Sequence, residues 1–279
     1  MVSIDNLISR VKYPAAAFPV SFSRIRTVWE CPTRFYKQYV LKEKTNSKPP
    51  AQVELDKGGL IHKVLEKTIH KGGMCYWDVS RVNFNSLWNT IKPAYPVAFT
   101  HPEDIAELYP YTKEAFEQVY RFINKGNYTP IPEYKLKIDR EGHLSQGYID
   151  WADLFFFGYI DLYLYNKDRA FIIDWKKAGY EKDGDKNNIQ LDLYAYFILN
   201  SFRNINKVKT LDYYVAEQKM VPRSGTISID DGFDALESSV KDILEDYVDR
   251  INNLDESNIC HINEDVCRWC KYRGDINGE

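Results

Sequence analysis

Two stretches decide the fold: Gly158-Tyr-Ile-Asp-Leu-Tyr-Leu-Tyr165 and Ala170-Phe-Ile-Ile-Asp-Trp-Lys176. Both are apolar and aromatic, and the four residues between them, 166–169, are all compatible with a turn. Two strand-like runs joined by a short polar loop predict a β-hairpin. Counting back from a four-residue loop places Asp161 opposite Asp174. Because successive side chains of a strand point to opposite faces, Lys176 lies on the same face as Asp174.

The other face of the predicted hairpin is apolar. Its members are Leu162, Leu164, Phe171, Ile173 and Trp175. Such a face is suited to burial in a core. The alternative is a solvent-exposed hairpin in which the two acids and the lysine form ordinary surface ion pairs, because a D-x-K motif alone is weak.

The two acids favour a metal site. Opposed carboxylates repel each other, and a divalent cation between them removes that penalty. Carboxylate oxygens suit Mg²⁺ or Mn²⁺, and such an ion can activate water and stabilise charge on a phosphate. Lys176 could stabilise the same charge as a fixed cation. The hairpin therefore indicates chemistry on phosphodiesters.

Length and composition limit the class of protein. A chain of 279 residues that is 44% hydrophobic can form one large domain or two small ones. No apolar run approaches the ~18 residues of a membrane-spanning helix, and the first five residues lack the features of a signal peptide. The five cysteines are an odd number without a disulfide framework. We therefore expect a soluble, intracellular protein, located in the cytoplasm and without a membrane partner.

Positive charge is concentrated near the N-terminus. The net charge is −3, yet residues 1–48 hold nine Lys or Arg against three acids. Aromatic residues are interleaved with these cations, a combination that suits contact with a nucleic-acid backbone and stacking on bases. The predicted DNA contacts are Arg24, Arg26, Arg34 and Lys37. An amphipathic helix with a solvated basic face is the alternative.

The hydrophobic period changes along the chain. Helices are predicted first, at 21–42 with a kink at Pro32, then at 60–71 after Gly58-Gly59, at 78–92 and at 103–125. Strands follow at 133–139, 146–151, 154–165 and 170–176, then a helix at 189–202, a strand at 208–216 and a helix at 230–254. This order predicts an α/β fold. We expect a single domain, 1–279, made of a basic helical arm (1–56), a helical region (57–127), a core (128–216) and a C-terminal helix and tail (217–279).

Three further features could join the hairpin acids. His62 and Glu66 lie one turn apart on one helix face, and imidazole can bind a transition metal such as Mn²⁺. Gln190 and Tyr194 lie on one face of the next predicted helix, and Glu133 begins a strand shortly before the hairpin. A core or surface histidine and a buried polar pair are the ordinary alternatives for the first two.

The tetrad Gly-Tyr-Ile-Asp occurs twice, at 147–150 and at 158–161. Asp150 is therefore a rival of Asp161 for the metal role. We favour Asp161 because it lies opposite Asp174 in the predicted hairpin.

Taken in order, these motifs resemble the RecB-like branch of the PD-(D/E)XK nuclease superfamily. That branch shows G-x-x-x-H-x-x-L-E on a helix, an acid on a strand, G-x-x-D, D-x-K and Q-x-x-x-Y. The matching positions are Gly58 to Glu66, Glu133, Gly158 to Asp161, Asp174 to Lys176, and Gln190 to Tyr194. Cys31-Pro-Thr-Arg-Phe-Tyr36 is similar to the C-P-x-x-F-x motif near the start of such proteins. Residues 74–126 are unmatched.

The resemblance implies a restriction-endonuclease-like core: a small mixed sheet flanked by helices, with an N-terminal helical arm and a helical insertion. It implies metal-dependent cleavage of DNA that is single-stranded or has a free end. Similar proteins include CRISPR-associated and phage exonucleases and enzymes of recombination and repair.

The resemblance also implies roles for single residues. The implied ligands of Mg²⁺ or Mn²⁺ are His62, Asp161, Asp174, the backbone carbonyl of Trp175 and, as another acid, Glu133. Lys176 would orient the attacking water or stabilise the transition state. Gln190 and Tyr194 would position DNA or Lys176.

The cysteines depart from the pattern. Iron–sulfur members of this branch carry one cysteine in the C-P motif and three at the C-terminus, and a four-iron four-sulfur cluster needs four thiolates. Cys31, Cys267 and Cys270 match, but Ile276 stands at the last position; Cys260 could replace it, and His261 is another candidate. Zinc would accept such ligands as well. A relative that has lost its cluster and keeps remnant thiols is the alternative.

The sequence favours two functions over a third, a structural protein with no nucleic-acid role. The first is a metal-dependent deoxyribonuclease, an exonuclease of recombination, repair or phage DNA metabolism. The second is a catalytically inactive DNA-binding or recombination-assembly module on the same fold. The complete acid–acid–lysine set favours the first, because an inactive relative has no need to keep Lys176.

Overall fold

The chain contains a mixed β-sheet, seen in a computed structural model that describes residues 4–43, 52–72, 82–96, 102–145, 147–178 and 188–254. Within these residues the sheet has six strands: β1 (Thr129–Asp139), β2 (Leu154–Asn166), β3 (Arg169–Lys176), β4 (Lys207–Tyr214), β5 (Lys219–Pro222) and β6 (Ile227–Ser228). Their order across the sheet is β1-β2-β3-β4-β5, and β6 also pairs with β4.

Strand direction follows from the connections. β2 and β3 are antiparallel and are joined by a tight turn, whereas β3 and β4 are parallel and are joined through α8 (Asn188–Ser201). A parallel pair needs such a crossover, because the chain must return to the same edge before the second strand begins. The carboxyl ends of β3 and β4 consequently lie side by side.

The remaining helices flank these strands in the sequence. They are α1 (Ile4–Ser9), α2 (Pro14–Ala17), α3 (Phe22–Glu30), α4 (Pro32–Phe35), α5 (Gln52–Gly72), α6 (Phe84–Ile91), α7 (Pro102–Gly126) and α9 (Phe233–Asn252). Single turns of other helix types occur at Tyr36–Val40, Lys92–Ala94 and Trp151–Asp153. Among the helices of the described ranges, none combines the length and apolarity that a membrane span needs.

One compact unit consists of the described residues within Met1–Ala51, Leu136–Gly158 and Asp234–Glu279. Tyr247 of α9 is fully buried in it. Its ring meets Phe35 edge-on with 6.3 Å between centroids, and its hydroxyl donates to the Ala17 carbonyl at 2.8 Å. These contacts attach α9 to the N-terminal helices.

The second unit consists of the described residues within Gln52–Lys135 and Tyr159–Phe233. One face of its sheet packs on α5, α6 and α7. The sheet residues in this core are Leu162, Leu164, Ile173, Trp175, Leu211 and Tyr213, with Phe171 packed against them. The predicted apolar face of the hairpin is therefore confirmed as a core face. On the other side α8 packs on β3 and β4, and it is buried continuously from Leu193 to Leu199.

The hairpin has the predicted register, with Tyr163 opposite Ile172. Pairing continues to Asn166 and Arg169, so the loop has two residues instead of the predicted four. Lys167 takes a positive φ of 39° there, as the common two-residue hairpin turns require. Because both loop lengths pair the same residues, the faces are unchanged.

The predicted α/β class is confirmed, although some boundaries differ. The helix expected to begin after Gly58-Gly59 begins at Gln52 instead. Both glycines lie inside it, where each costs roughly 1 kcal/mol relative to alanine and is tolerated. The helix expected at 78–92 is described from Phe84, and residues 78–81 lie outside the described ranges.

The strand expected at 146–151 is absent from residues 147–151. There the exposed Asp150 accepts the N–H of Ala152 at 3.0 Å and caps the short turn that follows. Local capping by an aspartate side chain competes with strand pairing, which explains the error.

Candidate active site

The second unit brings together the residues predicted to carry the chemistry. They are His62 on α5, Glu133 on β1, Asp161 on β2, Asp174 and Lys176 on β3, and Gln190 and Tyr194 on α8. These residues come from five elements, so the site exists only after the sheet and both helices have assembled.

The pairing of β2 and β3 ends at this site. The last pair of the ladder is Leu162 with Ile173, and Asp161 would face Asp174 in the next pair. Instead, the Asp161 carboxylate accepts the N–H of Trp175 through Oδ2 at 2.8 Å. The Asp161 carboxylate thus takes the place of a backbone carbonyl as the acceptor for this N–H. Its other oxygen, Oδ1, remains for other partners in the site.

His62 bridges two acceptors of the site. Its Nδ1 lies 3.3 Å from Asp161 Oδ1, and its Nε2 lies 3.0 Å from the Trp175 carbonyl oxygen. Both ring nitrogens can donate only in the imidazolium form. Burial disfavours that charge, but Asp161, together with Asp174 and Glu133, raises the pKa of His62 to about 9. Without a metal, the protonated ring is the cation that holds these acceptors together.

Glu133 reaches the same place through an unusual backbone conformation. It follows Pro132 in β1 and has a φ of 51°, in the left-handed region. For a residue with a side chain this region costs roughly 1–2 kcal/mol. Burial, followed by the negative charge of Asp161, raises the pKa of the Glu133 carboxyl. Backbone strain and a disfavoured charge thus coincide at Glu133, a combination that is common at functional sites.

Asp174 and Lys176 form a close ion pair, with 2.7 Å between Oδ2 and Nζ. Asp174 is 8% exposed. Burial and the neighbouring Asp161 raise the pKa of Asp174 to about 7, although Lys176 opposes this shift. Burial also disfavours the Lys176 ammonium, but Asp174 outweighs it and raises the pKa of Lys176.

The donor set fits Mg²⁺ or Mn²⁺. Ligand atoms of His62, Glu133 and Asp161 all lie within 4.8 Å of one another. Two ligands on opposite sides of a Mg²⁺ ion lie about 4.2 Å apart, so small side-chain shifts would bring all three into contact with one ion. Among the described residues, Asp174 is outside this group of three, because its carboxylate is directed to Lys176.

Gln190 and Tyr194 lie on one face of α8, as predicted. The Gln190 amide donates to the Tyr194 hydroxyl at 3.2 Å. Burial raises the pKa of Tyr194, so its hydroxyl stays neutral beside the acids. The pair therefore presents neutral hydrogen-bonding groups next to Asp161 and Asp174.

Comparison with known proteins identifies the family of the chain. The profile of the PD-(D/E)XK nuclease superfamily matches residues 19–274. The chain belongs to the PD-(D/E)XK nuclease superfamily. The mixed sheet flanked by helices is the restriction-endonuclease-like fold expected of it. A search of curated proteins gave no match.

The predicted DNA-contact cations of this PD-(D/E)XK protein lie in the first unit. Arg26 Nε is 2.5 Å from a carboxylate oxygen of Glu30, and Arg34 approaches the same side chain at 4.0 Å. Lys37 is 3.7 Å from Glu43. Each of these three cations has an acid within its own unit, so their contact with DNA stays a prediction.

Arg24 is held differently. Its guanidinium donates to the Pro19 carbonyl at 3.0 Å and lies 4.9 Å from the centre of the Tyr39 ring. Burial lowers the pKa of Arg24. These contacts indicate a structural role for Arg24, and DNA binding by it is untested.

The predicted cluster ligands lie mainly outside the described residues. Cys31 is buried, and its thiol accepts the N–H of Arg34 at 3.3 Å. Cys260, Cys267 and Cys270 fall in the part of the chain that is not described. The iron–sulfur cluster therefore stays a prediction, and the iron content of protein purified anaerobically would test it.

One group next to the site was not anticipated. Asp212 of β4 pairs in register with Asp174 and is fully buried. Its carboxylate contacts Arg223 and the Tyr214 hydroxyl. The signal was present in the sequence: Asp212 is the one acid in the strand predicted at 208–216, and a lone acid in a buried strand needs a partner.

Proposed function

We propose that this PD-(D/E)XK protein is a deoxyribonuclease that uses Mg²⁺ or Mn²⁺ and acts as an exonuclease on DNA with a free end. The observation that supports this most is the convergence of His62, Glu133 and Asp161 within 4.8 Å, beside the Asp174–Lys176 ion pair. Recombination, repair or phage DNA metabolism is the setting we expect, from the resemblance to RecB-like enzymes.

His62, Glu133 and Asp161 would hold the ion, with Asp174 as the next carboxylate. A bound ion would polarise the phosphate and lower the pKa of a water molecule. Lys176 carries its ammonium beside the proposed ion site, 2.7 Å from Asp174, where its positive charge would stabilise the phosphate oxygens once Asp174 binds the ion. Gln190 and Tyr194 offer neutral donors that can orient the substrate without adding charge.

Metal binding competes with protons at this site. Ligand groups must be deprotonated, and His62, with a pKa of about 9, carries an extra proton at neutral pH. We therefore propose that metal uptake displaces protons from His62 and Asp174. Activity at low metal concentration then rises with pH up to about 9.

The direct test is incubation of the purified protein with end-labelled linear DNA, single-stranded or double-stranded, and with covalently closed circular DNA. We expect degradation of linear DNA with Mg²⁺ or Mn²⁺, none with a chelator, and no cutting of the closed circle, because an exonuclease needs an end. Gel analysis of the labelled products gives the polarity. The matched control is Asp150→Asn, since Asp150 carries the same local motif but caps a turn in the first unit.

Each alternative has its own result. Cutting of the closed circle would show an endonuclease. DNA binding without cleavage of any substrate by either metal would favour the catalytically inactive binding module. Loss of activity in Asp150→Asn equal to that in Asp161→Asn would contradict the assignment of the metal site.

A further inference from the structure

Asp212 is a buried acid directly beside the D-x-K lysine and its partner. In the parallel pair of β3 and β4, Asp212 is in register with Asp174, and Tyr214 is in register with Lys176. Side chains in register on adjacent parallel strands share a face, and the strands lie roughly 4.8 Å apart. Lys176 bends back along β3 to contact Asp174, which brings its ammonium level with Asp212.

The Asp212 carboxylate is held from one side only. Arg223 and the Tyr214 hydroxyl both contact Oδ2, and Arg223 also contacts that hydroxyl. Oδ1 is buried and has no hydrogen-bond partner within the described part of the chain. A buried carboxylate oxygen without a partner is destabilising, so a functional reason for it should be sought.

We propose that Asp212 is a positioning residue for Lys176: its unpartnered Oδ1 receives the Lys176 ammonium when the Asp174 carboxylate turns to a metal ion. The inference rests on the proposed nuclease function. Arg223 and Tyr214 fix Oδ2 and thereby aim Oδ1.

The position of Asp212 would keep the Lys176 ammonium oriented after Asp174 has turned to the metal ion. Lys176 has Asp174 as its ion-pair partner, and Asp174 is itself expected to bind the ion. A flexible ammonium that loses its partner has no fixed orientation, and positioning is a large part of catalysis. Asp212 is held by Arg223, which makes it a stationary second anion and a poor competitor for the metal.

The kinetic test is a double-mutant cycle between Asp212→Asn and Lys176→Met. In the wild-type background we expect Asp212→Asn to lower kcat about 10- to 100-fold, the usual effect of losing a group that orients a catalytic one, with the KM for DNA little changed. In the Lys176→Met background we expect less than about a twofold further change, because the residue acts through Lys176. Equal losses in both backgrounds would overturn the proposal.

A second pair of variants distinguishes the proposed positioning role of Asp212 from a purely structural one. Asp212→Asn removes the carboxylate that the Arg223 guanidinium contacts, which destabilises the fold. In Asp212→Asn/Arg223→Gln both charges are absent, so we expect the melting temperature to recover while kcat stays low. Recovery of kcat together with stability would show that Asp212 serves only the ion pair. The matched control is Asp168→Asn. Asp168 directly precedes β3, at the end opposite Lys176, and its carboxylate lies 3.9 Å from the guanidinium of Arg169.

A third measurement needs no turnover. In a crystal structure of the wild-type protein soaked with Mn²⁺ and without DNA, we expect Lys176 Nζ within about 3.2 Å of Asp212 Oδ1. A Lys176 that remains on Asp174 alone would overturn the proposal. If the wild-type protein cleaves no DNA but this contact forms, the proposed function fails and the positioning role stands.

Discussion

Replacement of Asp174 by asparagine is expected to abolish DNA cleavage and to stabilise the metal-free protein above neutral pH. Losing an ion-binding carboxylate removes several kcal/mol of transition-state stabilisation. About 4 kcal/mol corresponds to roughly a thousandfold in rate. The initial rate of cleavage of end-labelled linear DNA measures this loss. The control is Asp150→Asn, which makes the same aspartate-to-asparagine replacement outside the site. Activity within tenfold of wild type, a loss of under about 1.4 kcal/mol, would contradict the role of Asp174.

Asp174→Asn is expected to lower activity but to raise the stability of the metal-free protein, because burial disfavours the charged carboxylate of Asp174. Its folded-state pKa of about 7 lies above the ordinary value of 3.8. Between these values the folded protein binds more protons than the unfolded chain, so the free energy of unfolding falls as pH rises. Asparagine mimics the protonated side chain at every pH. We expect the stability advantage of the variant over wild type to be smallest near pH 4 and to grow as pH rises toward about 7.

Melting temperatures of both proteins in a chelator, at pH 4, 6 and 8, measure this difference. Adding Mn²⁺ at pH 8 should stabilise wild type more than Asp174→Asn, because a ligand that binds only the folded state stabilises it. A variant that melts below wild type at pH 8 without metal would show that Asp174 contributes to the fold through its charge. The activity and stability results together would identify Asp174 as a residue retained for function at a cost in stability.

Replacement of Lys176 by methionine is expected to have the second large effect on DNA cleavage. Methionine keeps most of the length and removes the charge, so we expect kcat to fall about 10²- to 10³-fold, as when one fixed group is removed from a developing negative charge. The affinity for Mn²⁺ should be unchanged or tighter, because Lys176 competes for the carboxylate of Asp174. Cleavage rates and Mn²⁺ titration followed by electron paramagnetic resonance measure the two quantities.

Lys177→Met is the matched control for this variant. Lys177 follows in sequence and lines a separate pocket with Ile61, Tyr111 and Val215. We expect the control to keep the wild-type rate. Equal losses in both variants would mean that the charge acts at long range on DNA binding. A loss of Mn²⁺ affinity in Lys176→Met would mean that Lys176 shapes the metal site itself.

The hairpin was predictable because its signals are local. Alternation along two adjacent strands determines which residues share a face, and a short loop determines which residues pair. An error of two residues in loop length left Asp161 and Asp174 in place, since the pairing is symmetric about the turn. The core face from Leu162 to Trp175 followed from the same alternation.

Other features were beyond local reasoning. The positive φ of Glu133 depends on the strand beside it, and no propensity predicts it. The two contacts of His62, to Asp161 and to the Trp175 carbonyl, arise only when α5 packs across the end of the hairpin. Asp212 lies in a predicted strand, but its neighbour across the sheet is 38 residues earlier in the chain, so local patterns do not place it beside Asp174.

The sequence by itself determined the hairpin, its register and the face that carries Asp161, Asp174 and Lys176, because these depend on side-chain alternation and one short turn. The order of the motifs predicted His62 beside them, but only the tertiary structure decided the contacts that His62 makes and added Asp212. The parallel crossover through α8 set Asp212 beside Asp174, and the packing of α5 set His62 against Asp161. Such juxtapositions result from long-range packing of the whole unit, and local patterns carry no record of them.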